Sequence, residues 1–255
     1  MNRITKFVVI NIIRNRIVLI YTILLALLSW SVFSLEDNSS KGMLTLLNVI
    51  LLNVPLVSIM FSTIYIYNSS EFIELLLSQP IQRWRIWLSL FSGLAISLTI
   101  AFLVGAGIPI LVYSPDKLGF MMVSVGILVS VVFVAISMFA SILTRDKAKG
   151  IGISIMTWLF FALLFDGIIL FLMFQFSDYP IEKLMVGVTA FNPIDLSRIL
   201  ILLHLDVSAM MGYTGAIFKD FFGTDLGLIL TFLLLILWIA IPFWISLIKF
   251  NRKDL

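Results

Sequence analysis

Asp166 is the residue on which any chemistry would turn first. It lies well inside an apolar run, amid Trp158, Phe160, Phe161, Leu163, Leu164, Phe165 and Ile168. A carboxylate at such depth in a bilayer costs about 2.5–3.5 kcal/mol on insertion scales, so it faces a bundle interior or a polar path. That makes it a candidate contact for a proton, an ion or a substrate. The alternative is a protonated or paired aspartate that fixes helix packing, with Ser or Thr opposite. His204, Met210 and Met211 suggest a second chemistry, because imidazole and thioether suit Cu(I). Against a metal there, adjacent methionines point about 100° apart on a helix, and methionine is common apolar filler. No phosphate-cradling G-x-x-x-x-G-K-[ST], no H-E-x-x-H and no nucleophile elbow occurs. With a single histidine and no cysteine, disulfides, iron–sulfur clusters and thiolate metal sites are excluded. No catalytic residue is assigned and no cofactor is expected on this chain. Energy for active work must come from another polypeptide or a gradient.

The elements that hold these residues are set by hydropathy. The chain is 61% hydrophobic and 12% charged, with a mean hydropathy of +1.15. Soluble domains carry about 25% charged residues, so half that share cannot coat this chain for water. A spanning helix needs about 20 apolar residues to cross roughly 30 Å of hydrocarbon. Residues 17–35, 43–67, 86–113, 118–143, 151–174 and 227–248 meet that requirement. The fold class is therefore all-α and integral to a membrane, with six transmembrane helices. Nothing at the start reads as a cleavable signal, since the basic stretch runs into a long apolar span without a small-residue cleavage site.

Lysine and arginine orient the spans. With the N-terminus in the cytoplasm, the inside holds Arg3, Lys6, Arg14, Arg16, Arg83, Arg85, Arg145, Lys147, Lys149, Lys249, Arg252 and Lys253, twelve of seventeen. The outside keeps Lys41, Lys117, Lys183, Arg198 and Lys219. Six spans return the chain to the side it left, so both termini are cytoplasmic. The basic pI of about 9.2 is thereby explained without a nucleic-acid partner.

Three segments lie outside the spans. Residues 1–16 mix Ile4, Phe7, Val8 and Ile12 with Lys6, Arg14 and Arg16, which suits a helix lying in the interface or a basic anchor for the first span. Between spans two and three, Asn68 is expected to cap a short helix with Glu71 in its first turn and Glu74 one turn later. Phe72, Leu75 and Leu76 would form its apolar face. Pro80 ends it, and Arg83, Trp84, Arg85 and Trp87 mark the return to the interface. Such an element is either an incidental re-entry or a docking helix for a cytoplasmic partner. Residues 175–226 form a helical outer segment. Asn192 as N-cap, Pro193 at the first position and Asp195 in the first turn start a helix carrying Arg198, Ile199, Leu200, Leu202, Leu203 and His204. Asp206 can cap a second, through Val207, Met210 and Met211. These half-apolar helices would cover the outer span ends or a second protein. Ala101 and Gly105, four apart, favour close helix contact.

Six spans, a surface helix after the second and no ATPase motif resemble an ABC-2-type permease, the membrane half of an ABC transporter. Within that family the likeness is to permeases of nitrous-oxide reductase maturation. It rests on Leu143–Thr–Arg–Asp–Lys–Ala–Lys149, on Thr157–Trp–Leu–Phe–Phe–Ala–Leu–Leu–Phe–Asp166, and on Asn192–Pro–Ile–Asp195 followed by Arg198. The resemblance implies one transmembrane domain over 1–255: interfacial helix 1–16, helices one to five over 17–174, outer segment 175–226, helix six at 227–248 and a cytoplasmic tail at 249–255. It implies a homodimer in a bacterial inner membrane. A cytoplasmic ABC ATPase would seat on Ser70, Glu71, Glu74, Gln79, Pro80 and Arg83, with ATP and magnesium held in that subunit. A periplasmic right-handed β-helix protein would meet Asn192, Pro193, Asp195, Arg198 and His204, in building the copper–sulfide centre. Other readings are an ABC-2 exporter of drugs, lipids or polysaccharide, one tied to gliding, or an ion-driven secondary transporter using Asp166. The Glu71–Phe–Ile–Glu74 run is sparser in acids than is usual at the family's surface helix.

Overall fold

In a computed structural model, residues 2–36, 39–176, 187–202 and 225–252 are described. Helix α1 (Asn2–Ile13) leads into the first span, α2 (Arg16–Leu35), then α3 (Ser39–Asn68) and the short α4 (Ser70–Leu77). The third span joins α5 (Arg83–Phe102) to α6 (Ile108–Tyr113) through a π-turn at Leu103–Gly107. The fourth is α7 (Lys117–Leu143). The fifth joins α8 (Lys147–Leu159) to α9 (Phe165–Gln175) through a second π-turn at Phe160–Leu164. Helix α10 (Pro193–Leu202) follows, and α11 (Asp225–Arg252) is the sixth span. Among the described residues, six helices are thus long and apolar enough to cross a membrane. The third, fifth and sixth exceed their expected bounds by about a turn at the end that carries Arg83, Lys147 and Arg252, hereafter the basic end.

The turns between elements follow local hydrogen-bond chemistry. Asn15 separates α1 from α2, its side chain accepting the Ile17 amide at 2.9 Å. Asp116 caps α7 through the Gly119 amide at 3.0 Å. Asp146, within the basic turn before the fifth span, caps α8 by accepting from Ala148 at 2.8 Å and Lys149 at 3.2 Å. Each carboxylate or amide satisfies donors that the helix itself leaves open.

Helix α7 is the axis of the bundle. It packs against α3 on one side and α11 on another, and 67% of its most apolar stretch is buried, against 11% for the fifth span. Small residues permit this. A Cβ added at Gly126 would fall 2.6 and 2.8 Å from the Cε carbons of Phe102, itself fully buried. Gly126→Leu is expected to cost about 1–3 kcal/mol or more by overpacking. Gly152→Leu, at a position with nothing within 4 Å, is expected to leave stability unchanged. Thermal unfolding of both purified variants in detergent checks the contrast; equal melting would refute this packing. The close approach expected at Gly105 is present too, where a Cβ would meet the Leu25 Cβ at 2.8 Å.

Candidate functional site

Helix α10 starts as its residues require. The Asn192 Oδ1 accepts the Ile194 amide at 3.0 Å, and Pro193 gives up no bond at a position where its missing N–H has no helical partner. The Asn192 side-chain amide then makes two further bonds. It donates to Asp195 Oδ2 at 2.8 Å and to the Phe161 carbonyl at 2.9 Å. Phe161 sits in the π-turn of the fifth span, where the Phe165 amide bonds five residues back to Phe160. Returning from that spacing to four must skip one carbonyl, and Asn192 fills a carbonyl of this turn. Asn192 is fully buried, so the bond is shielded from water.

One turn further along α10, Arg198 Nη1 donates to Asp166 Oδ2 at 2.9 Å and to Asp195 Oδ1 at 3.1 Å. Asp166 therefore has a cation for its partner, not the serine or threonine that the sequence suggested. Asp195 is buried, whereas the Arg198 and Asp166 side chains are 32% and 36% exposed. Among the described residues, the buried Arg198 Nε meets no acceptor. One guanidinium is shared by two carboxylates. The set is neutral when one carboxyl holds a proton and carries one negative charge when neither does.

The position of α10 corrects an expectation. It does not cover the outer ends of the spans but is driven between them, packing on α7, α11, α3 and the π-turn. Leu196 and Leu235 are fully buried together against Leu128, Ile199, Leu234 and Trp238. Trp238 also donates to the Ala190 carbonyl at 3.1 Å and meets the Phe161 ring edge-on at 5.3 Å. Counting 1.5 Å per residue, Asp166 lies about 14 Å inside the fifth span's end at Gln175. Arg198, assigned by its place in the chain to an outer loop, thus joins the one acid inside a span. The sequence held a signal for this pairing, since a lone intramembrane acid calls for a cation, and Arg198 stands three residues from Asp195 on one helix face.

The second set of sequence-singled residues lies at the basic end. Ser70, Glu71, Glu74, Gln79, Pro80 and Arg83 are all exposed, and Arg83 Nη1 donates to the Asn251 carbonyl at 3.3 Å. Helix α4 differs from expectation in two details. Asn68 does not cap it: α3 runs through Asn68, and Ser69 holds the N-cap without a side-chain bond. The Asn68 Oδ1 instead accepts from Lys147 Nζ at 2.7 Å, joining α3 to the start of the fifth span. The buried face of α4 is Ile73 and Leu76, with Leu75 66% exposed. Beneath α4 lies a cavity of about 330 Å³ lined by Tyr67, Ser70, Ile73, Glu74, Trp87 and Arg145 among others. At its wall, the Tyr67 hydroxyl lies 3.2 Å from the Ser141 carbonyl and 3.0 Å from that of Thr144. His204, Met210 and Met211 lie outside the described residues. Among the described residues no three His, Asp or Glu gather as a metal set.

A bundle of six apolar spans with a short amphipathic helix at one end and a pinned helix near the other has the form of a transporter's membrane subunit. The chain belongs to the ABC-2 family of transporter proteins, whose model matches residues 49–255. It is similar to the probable ABC transporter permease protein NosY of Pseudomonas aeruginosa, 26% identical over 221 residues that cover 78% of this chain and 80% of that one. The probable NosY of Stutzerimonas stutzeri is likewise 26% identical, over 215 residues covering 78% of this chain and 76% of its own. The chain is therefore a membrane subunit of an ABC transporter, and in this family ATP hydrolysis belongs to a separate subunit.

Proposed function

We propose that this subunit transmits the closure of a cytoplasmic ATPase pair to a periplasmic partner in assembling the copper–sulfide centre of nitrous-oxide reductase. The carrying observation is that the fifth span is tied at two levels. Lys147 at its start holds Asn68, one residue from the N-cap of α4. Asp166 and the Phe161 carbonyl farther along hold Arg198 and Asn192 of α10. A push on α4 therefore reaches α10 through one helix, with no need for a wide path. In this reading the basic end is cytoplasmic, following the lysine and arginine bias. The membrane is the bacterial inner membrane. Two copies pair over two ATPases. Ser70, Glu71, Glu74, Gln79, Pro80 and Arg83 form the ATPase seat. Asn192, Pro193 and Asp195 set the helix that leads to the periplasmic β-helix protein. Magnesium and ATP reside in the ATPase.

An ABC-2 exporter of drugs, lipids or polysaccharide would use the same transmission. An ion-driven carrier centred on Asp166 is disfavoured, because a guanidinium already occupies that carboxylate. Affinity purification of the tagged chain from its host in mild detergent, with mass spectrometry of what accompanies it, tests the proposal. An ATPase together with a periplasmic repeat protein is expected. An ATPase alone leaves the subunit an exporter of other cargo, and no ATPase in an intact preparation favours the ion-driven carrier.

A further inference from the structure

We propose that α1 is a docking surface for anionic phospholipids of the cytoplasmic leaflet, and that lipid charge acts through it on α4. The consequence for ATP coupling rests on the reading of α4 given above; the lipid surface does not. One face of α1 is committed to the protein. Val8 and Ile12 are fully buried, Ile4 packs behind them, and the Thr5 and Ser92 hydroxyls lie 3.4 Å apart. The other face is exposed and of one sign. Arg3, Lys6 and Arg14 are exposed there, and Asn2–Ile13 contains no acid. At 3.6 residues per turn, Lys6, Ile10, Arg3, Arg14 and Phe7 share an arc of about 100°. Phe7 and Ile10, 53% and 43% exposed, thus stand among the cations. Cations interleaved with exposed apolar side chains match a layer of phosphates above acyl chains, and the attraction grows with the share of anionic lipid.

The level of α1 agrees with that occupant. The third span runs 31 residues from Arg83 to Tyr113, about 46 Å at 1.5 Å per residue, against roughly 30 Å of hydrocarbon. Its first turns therefore stand clear of the acyl chains. Ser92, beside α1, is about 14 Å from the Arg83 end, close to where the headgroups must lie. The link onward to α4 is direct. The Phe7 ring lies 5.3 Å from that of Phe72 on α4. The Tyr65 hydroxyl stands beside the side chains of Asn11 on α1 and of Ser69, the N-cap of α4. Helix α4 is thus touched by α1 on its flank, with Tyr65 standing between the two at its root. Lipid that settles α1 settles α4.

The natural chain has no cysteine, so one introduced at Leu75, exposed on α4, takes a spin label alone. The full-length protein is placed in nanodiscs of phosphatidylcholine, with and without phosphatidylglycerol, and label mobility is read by electron paramagnetic resonance. Phosphatidylglycerol is expected to slow the label. Arg3→Gln, Lys6→Gln and Arg14→Gln together should abolish both that response and the enrichment of phosphatidylglycerol retained on purification. Phe7→Ala should keep the enrichment and lose the response. A label indifferent to phosphatidylglycerol overturns the proposal. So does a response that survives the triple substitution, including the case in which the triple variant loses only ATPase binding and α1 is a protein contact. Co-purification of the ATPase, measured separately, decides the reading of α4 and leaves the label result standing.

Discussion

Replacing Arg198 by leucine is expected to destabilise this protein several times more than replacing Asp166 by asparagine. In Arg198→Leu, two carboxylates are left side by side at depth, with the Asn192 amide donating to only one of them. Removing one partner of a buried pair costs about 3–5 kcal/mol. With the Arg198 and Asp166 side chains about a third exposed, that figure falls to about 2–3 kcal/mol. Asp166→Asn leaves Arg198 bonded to Asp195 and keeps a side-chain oxygen that can accept, a loss of about 0.5–1 kcal/mol, typical of one hydrogen bond. The double variant should recover part of the Arg198→Leu loss, since it removes one of the stranded charges. Thermal unfolding of the detergent-purified protein reads all three. Equal losses from the two single variants would show that the pair is decorative.

The second large effect is expected at the other end. Glu71→Lys with Glu74→Lys reverses two exposed charges on α4 without touching Ile73 or Leu76, which hold the helix down. Stability should move by less than about 0.5 kcal/mol, as for most surface substitutions. Association with the ATPase should weaken on the order of 100-fold, because a charge turned against its partner costs several kcal/mol at an interface. Hydrolysis stimulated by the permease should fall with it. Unchanged co-purification of the ATPase would mean that α4 is not its seat.

How far the sequence spoke for itself depended on how local each question was. Six spans were legible because a long apolar run has few alternatives in lipid. The start of α10 was legible because Asn192, Pro193 and Asp195 serve the helix that contains them. The capping of α4 was misread for a reason equally physical. Asn68 suits a cap, but α3 continues through it, and Lys147, 79 residues away, claims its side chain. The buried face of α4 was misjudged because a short helix with four leucines and isoleucines offers several stripes, and only its neighbours choose among them. Neither π-turn announces itself in residue type. The union of Asp166 with Arg198 joins residues 32 apart across elements whose relative depth no periodicity encodes.

A π-turn is, in the lineage of a helix, one residue too many. Deleting a residue from Phe160–Leu164 would restore the regular ladder and reclaim the carbonyl lent to Asn192. It would also swing one side of the helix by about 100° against the other, taking Asp166 away from Arg198. The extra residue, the asparagine and the ion pair are therefore a single inheritance: descendants of this chain keep all of it or discard all of it together.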